Sequence, residues 1–320
     1  MGLISDLNPI NYQEQKNQFL ANPNFNPQFR YVRQFSTEEL LSKGLPSTNY
    51  LSLAQQILDT ASSQFTPEEF ENRRGPLLDQ ATVTKAIKDF IAAHHLETQI
   101  SLVWSEEFVS RASVTDENLV KLRLPCLIRE QDLTGLIYHE LGTHALRRLN
   151  YFQQPWYKKK RKFGFSPYIK TEEGLASIHS LLPQTDPIAY LAAINYLTIQ
   201  QAQTSSFLEI WHFIRQYITD EERAFAMTFK KKRGLTDTSQ PGGFTKDLVY
   251  FEGLAEITKF LINNDFPIKE LYFGKISWQD IDRAKELNPD FQPILPIFYT
   301  QNPQAYQRQV RLIAETNFFI

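Results

Sequence analysis

At 320 residues the chain is long enough for one large domain or two modest ones around a sizeable core. Its 42% hydrophobic and 22% charged residues are those of an ordinary globular protein, and a net charge of −2 gives no global pull toward nucleic acid or anionic membrane. A lone cysteine, Cys126, excludes an internal disulfide and favours a reducing compartment. No segment reads as a membrane span, and the N-terminus lacks the charged and apolar regions of a signal peptide, so a soluble cytoplasmic protein is expected.

Residues 1–45 are expected to be an N-terminal extension, and 46–320 a single catalytic domain. Within the extension, 1–35 is rich in Asn, Gln and Pro and shows no sustained period. It reads as an extended arm that Phe25, Phe29 and Tyr31 would lay on the body. Ser36 with Glu39 forms a capping box and Gly44 a stop. Helical spacing follows over 49–65; Thr66-Pro67-Glu68-Glu69 opens another helix, and 82–96 is amphipathic. His94 and His95 would place favourable charge at its C-terminus.

The period changes at 99–125. "QISLVW" reads as one strand, and "RASV" and "LVKLRLP" as two more around a polar turn. The last could offer a sheet edge to which an extended peptide adds. Helical periodicity returns at 129–150, and Asp186-Pro187, Ser206 with Glu209, Thr219 with Glu222, and Ser277 with Asp280 mark later starts. His212, on an apolar stretch, reads as a packed core residue. The class predicted is α+β, mostly α-helical, with a small antiparallel or mixed sheet ahead of the helix carrying His139 and His144.

That helix reads "YHELGTHALRRLN". The zinc-protease pattern H-E-x-x-H puts its histidines four apart; here they are five apart. On a regular helix such positions diverge by about 140°, too far round to share one ion. A metal site therefore requires a π-bulge or a distortion near Gly142; otherwise the two imidazoles lie on different faces of an ordinary helix. A second acidic cluster follows in "TEEGLASIHS", where Glu172 and Glu173 could equally be the favoured acids of a helix's first turn. Two histidines and one carboxylate are a common catalytic zinc set.

The pair "HELGTHALR" and "TEEGLA" resembles the microtubule-associated tyrosine carboxypeptidases and their bacterial "QEGLA" relatives, and the likeness continues in "WSEEFVSRASV" and "GGFTKDLVYFEGL". It implies a thermolysin-like metallopeptidase core in which His139, His144 and Glu173 bind Zn²⁺ and Glu140 is the general base. The first motif position is Glu172 here rather than Gln, which leaves Glu172 as the competing ligand. The activity implied is a zinc carboxypeptidase that removes a C-terminal, tyrosine-like residue from a peptide or protein tail, an acidic tail included.

Such an enzyme must hold a terminal carboxylate, which Arg does best. Arg111, Arg233 and Lys246 are the candidates, with Arg223 behind them; each reads equally as a solvated base. Tyr250, four residues after Lys246 on an expected shared helix, could donate to an oxyanion or simply pack. The basic runs 156–165 and 229–234 read as solvated loops that could attract an acidic tail. Two alternatives stand beside this reading: a zinc endopeptidase or aminopeptidase, and a helical binding protein without catalysis. The sequence carries no signal for nucleic-acid binding or for an oligomeric state.

Overall fold

The structure is a computed structural model, in which residues 6–108, 110–115 and 117–320 are described. The chain divides into two compact units, Met1–Asn72 with Ala189–Phe251 and Arg73–Ile188 with Glu252–Ile320.

The first unit is helical. Its Thr48–Gln64 helix buries Ala54, Ile57, Leu58 and Ala61, the i, i+3, i+4, i+7 stripe of one face, against the Tyr190–Ala202 helix. Ser36–Glu39 and Ser206–Glu209 form reciprocal capping boxes, as their spacing predicts. The expected start at Thr219 falls one residue later, where the Asp220 carboxylate accepts from Arg223 N–H.

Residues 12–21, expected to be extended, form the helix Tyr12–Ala21, whose period is faint because only Gln15 and Phe19 are buried. Phe19 meets Phe207 edge-on at 5.2 Å, and Phe29 meets Phe229 at 5.0 Å. His212 is exposed rather than packed, because Ile210, Trp211 and Ile214 occupy the buried face. The second basic run is likewise no solvated loop: Lys231 is fully buried against Asp247 at 2.5 Å. Lys232, equally buried, donates to the carbonyls of Gln240 and Gly242 at 2.7 and 2.9 Å.

The second unit contains the sheet: β1 (Ser101–Ser105), β2 (Ala112–Val114) and β3 (Leu119–Arg123). Their order is β1-β3-β2, with β1 parallel and β2 antiparallel to β3. β3 is therefore the central strand and cannot offer the edge expected of it. Val120 and Leu122 alternate into the core.

From β3 the chain runs through the Glu130–Ile137 helix into Tyr138–Ala145 and then the Leu146–Phe152 helix. His94 is neutral rather than charged: Nδ1 faces Phe90 O at 2.9 Å, so it carries the hydrogen, and Nε2 accepts from Ile297 N–H at 3.1 Å. The described residues thus form a mostly helical α+β protein with a mixed three-stranded sheet, and no described helix is long and apolar enough to cross a membrane.

Candidate metal centre

Tyr138–Ala145 is a π-helix. Its i→i+5 bonds bring residues five apart onto one face, and the His139 and His144 ring centroids lie 4.9 Å apart. Gly142 lies within the turn where a side chain would collide with Phe298, whose Cε1 would stand 2.6 Å from an added Cβ.

The Ile169–Leu181 helix packs against this turn and supplies Glu173. It approaches the Leu248–Asn263 helix at Gly174, where a Cβ would stand 2.3 Å from Gly253 O. Glu173 Oε2 lies 3.8 Å from His139 Nε2 and 3.5 Å from His144 Nε2. One ligand atom from each of the three residues falls within 4.8 Å of the others, a spacing that could hold a metal ion.

The hydrogen bonds behind the imidazoles set their tautomers. Ser180 Oγ donates to Ala176 O at 3.0 Å, so toward His139 Nδ1, 2.9 Å away, it can only accept. His144 Nδ1 faces the carboxylate oxygen Glu172 Oε1 at 3.0 Å, which also only accepts. Both Nδ1 atoms therefore carry hydrogen and both Nε2 lone pairs point toward Glu173.

Glu173 Oε2 is buried and has no hydrogen-bond partner. A carboxylate oxygen in that state is costly unless something positive lies against it. Three electron-pair donors converging on one another, one of them an orphaned anion, fit a divalent cation.

The electrostatics agree. Burial, with His144 beside it, pushes His139 down to about 4 against the pull of Glu173. Burial also opposes charge on His144, yet Glu172 and Glu173 on either side lift it to about 10. Both carboxylates thus favour a cation at His144 Nε2, the atom that an ion would take.

Glu172 is committed elsewhere. Besides His144 it takes Lys275 Nζ at 3.1 Å and Arg147 Nη1. Burial opposes its ionisation, but Lys275, Arg147 and His144 hold it well below the ordinary carboxylate range. Arg147, itself fully buried, also donates to Leu271 O at 2.9 Å and Ile276 O at 2.7 Å.

Glu140 stands beside the cluster, its carboxylate 4.0 Å from His139 Nε2. Burial and Glu173 push it up to about 7, against His144, Arg111 and Arg148.

A family model described as "Microtubule-associated tyrosine carboxypeptidase" matches residues 36–310. The chain belongs to the microtubule-associated tyrosine carboxypeptidase family. It is 32% identical over 323 aligned residues to the Mus musculus protein named "Putative tyrosine carboxypeptidase MATCAP2", covering 98% of this chain and 62% of that one. It is 31% identical to "Microtubule-associated tyrosine carboxypeptidase 1" of Homo sapiens, covering 98% of this chain and 68% of that protein. The chain thus spans somewhat under two thirds of the first relative's length. The family match includes both the π-helical turn and Glu173.

The other residues singled out in this family member fall in both units. Arg111, in the turn before β2, bonds Asp132 Oδ2 at 3.0 Å through Nη1 and shares a unit with the cluster. Arg233, Lys246 and Tyr250 belong to the other unit. Arg233 is buried with its guanidinium 4.7 Å above the Phe244 ring and its Nε unpartnered. Lys246 lies in the turn before the Leu248–Asn263 helix, so it shares no helix with Tyr250. Arg223 is paired with Glu71.

Sequence reasoning singled out none of Ser180, Arg147, Lys275 and His179. The one local signal was Arg147, one turn from His144 and able to meet a buried acid.

Proposed function

We propose that the chain is a zinc-dependent carboxypeptidase that removes a C-terminal aromatic residue, tyrosine above all, from a peptide or protein tail. The observation that carries this reading is the convergence of His139 Nε2, His144 Nε2 and the orphaned Glu173 oxygen, with Glu140 beside them. These three residues would hold the ion in a thermolysin-like core; a two-nitrogen, one-oxygen donor set suits zinc. A zinc ion held there would supply a Lewis acid for the scissile carbonyl and for a water made nucleophilic near neutral pH.

The protein's own groups do the rest. Glu140, buried and raised toward neutrality, takes a proton from the attacking water and returns it to the departing amine. Glu172 keeps the hydrogen on His144 Nδ1 and so keeps the Nε2 lone pair available. Arg111, partly exposed and near enough to Glu140 to act on its charge, is assigned the substrate's terminal carboxylate. Arg233 and Lys246 are kept as further basic contacts and Tyr250 as an oxyanion donor, on the sequence argument. The outer edge of β2, beside the π-turn, would take the extended tail as an added strand.

The basic run at 156–165 leaves Lys158, Lys159, Arg161 and Lys162 exposed, which suits an acidic tail. A cytoplasmic setting goes with this reading. An aminopeptidase would need an acid for the substrate ammonium, and Glu172 is already engaged by three cationic or donor groups. That favours the carboxypeptidase.

Peptides differing only in their last residue (Tyr, Phe, Ala, Glu) and blocked at the N-terminus, followed by mass spectrometry, test the proposal. Loss of a single C-terminal Tyr or Phe by the wild type, absent in Glu140→Gln, is expected. Internal cleavage, or no cleavage by zinc-loaded protein, would overturn it.

A further inference from the structure

The π-turn is itself held open by a set of side chains that no part of the proposed reaction uses. Thr143 Oγ1 donates to Tyr138 O at 3.0 Å, the carbonyl just before His139. Having given its proton there, the hydroxyl can only accept from His179 Nδ1, 2.7 Å away. His179 Nε2 must then be the lone pair, and Tyr306 O–H, 3.0 Å off, donates to it. The chain of bonds has one direction, from Tyr306 through His179 and Thr143 to the Tyr138 carbonyl. On the other side of the turn Tyr272 O–H donates to Gly142 O at 2.5 Å. Thr143 and His179 are fully buried, as is Tyr272, and Tyr306 is 3% exposed, so water does not substitute for these donors.

A π-helix is rare and occurs mostly as single-turn bulges inside α-helices. Here two of its carbonyls are taken by side-chain hydroxyls: Tyr138 O by Thr143 of the turn itself, which His179 and Tyr306 hold from other helices, and Gly142 O by Tyr272 from a distant segment. Relaxation to α-helical spacing would separate His139 from His144 by about 140°.

We propose that Thr143, His179, Tyr306 and Tyr272 are positioning residues for the metal centre, clamping the π-turn so that His139 and His144 face a single ion. The proposal rests on the metal-binding reading above and goes beyond it by naming the residues that set the centre's geometry.

The test uses the full chain loaded with Co²⁺, whose d–d absorption reports ligand geometry, together with affinity from chelator competition. Thr143→Val keeps the bulk and removes the hydroxyl; Thr143→Ser keeps the hydroxyl and removes the methyl. The clamp predicts that Val weakens metal binding by about 10–100-fold and alters the spectrum, while Ser stays near wild type. Tyr306→Phe and Tyr272→Phe, which retain their rings, should shift affinity the same way and carry the test if Thr143→Val does not fold. Wild-type affinity and spectrum in both Phe variants, or equal losses in Val and Ser, would overturn the clamp while leaving the metal centre intact. A wild type that takes up no Co²⁺ or Zn²⁺ would overturn the metal reading and the clamp with it.

Discussion

His144 and Glu172 are joined Nδ1 to Oε1 at 3.0 Å, and that one bond decides which face of the imidazole is left for an ion. The same carboxylate pairs with both Arg147 and Lys275, so the outer support of the centre is also a buried ion network. Glu172→Gln should therefore do two things. Metal affinity should fall by about 10–100-fold as the imidazole loses its anionic anchor. Stability should fall by roughly 3–5 kcal/mol, because Arg147 is left buried without its counter-charge. Chelator competition and urea unfolding read the two effects separately; an unchanged affinity would remove Glu172 from the centre.

Glu140 is adjacent to the cluster but is not one of its three converging donors. Glu140→Gln should thus retain metal and fold while losing about 10²–10⁴-fold in kcat, the usual contribution of a general base. Metal content and turnover on a Tyr-ended peptide are the measurements, and loss of metal in this variant would assign Glu140 a ligand role instead.

Gly174 sits where its helix meets the Gly253 backbone, with no flexible side chain able to yield. Gly174→Ala should cost about 1–3 kcal/mol through overpacking, despite the better helix propensity of Ala. It should also displace Glu173, one residue away. A thermal melt at or above the wild-type midpoint would contradict this packing argument.

The motif residues that cluster in space are neighbours in the sequence or lie 29 positions apart, and the i, i+5 spacing itself required a π-bulge or a distortion near Gly142 if they were to share an ion. What surrounds them had no such signal. Tyr272 reaches the turn across 130 residues and Tyr306 reaches His179 across 127, and a buried tyrosine looks the same in the sequence whether it donates a clamping hydrogen bond or only packs. The central place of β3 is a matter of strand order, which period-two alternation does not encode. Lys231 and Lys232 read as solvated charge because nothing local announces Asp247 or the carbonyls that receive them.

The Lys231–Asp247 pair gives the fold a pH dependence away from the metal centre. Burial opposes ionisation of Asp247, but Lys231, Lys230 and Arg233 outweigh it and hold the carboxyl well below its ordinary range. A folded value below the unfolded one, about 3.9, means that its contribution is complete above about pH 5 and lost as pH falls through the folded value. Unfolding free energy should decline below about pH 4. Asp247→Asn should lower stability at pH 7 by roughly 3–5 kcal/mol, leaving Lys231 buried and unpaired, and should flatten the acid limb. Denaturant melts from pH 3 to 7 compare the two slopes, and parallel slopes would exclude Asp247 as the source.

The convergence of His139, His144 and Glu173 on one ion is tested most directly by zinc per chain, measured by elemental mass spectrometry after loading and desalting. About one zinc in the wild type, lost in both His144→Ala and Glu173→Ala while each stays folded, is the predicted result. A wild type without zinc, or Glu173→Ala retaining a full equivalent, would contradict it.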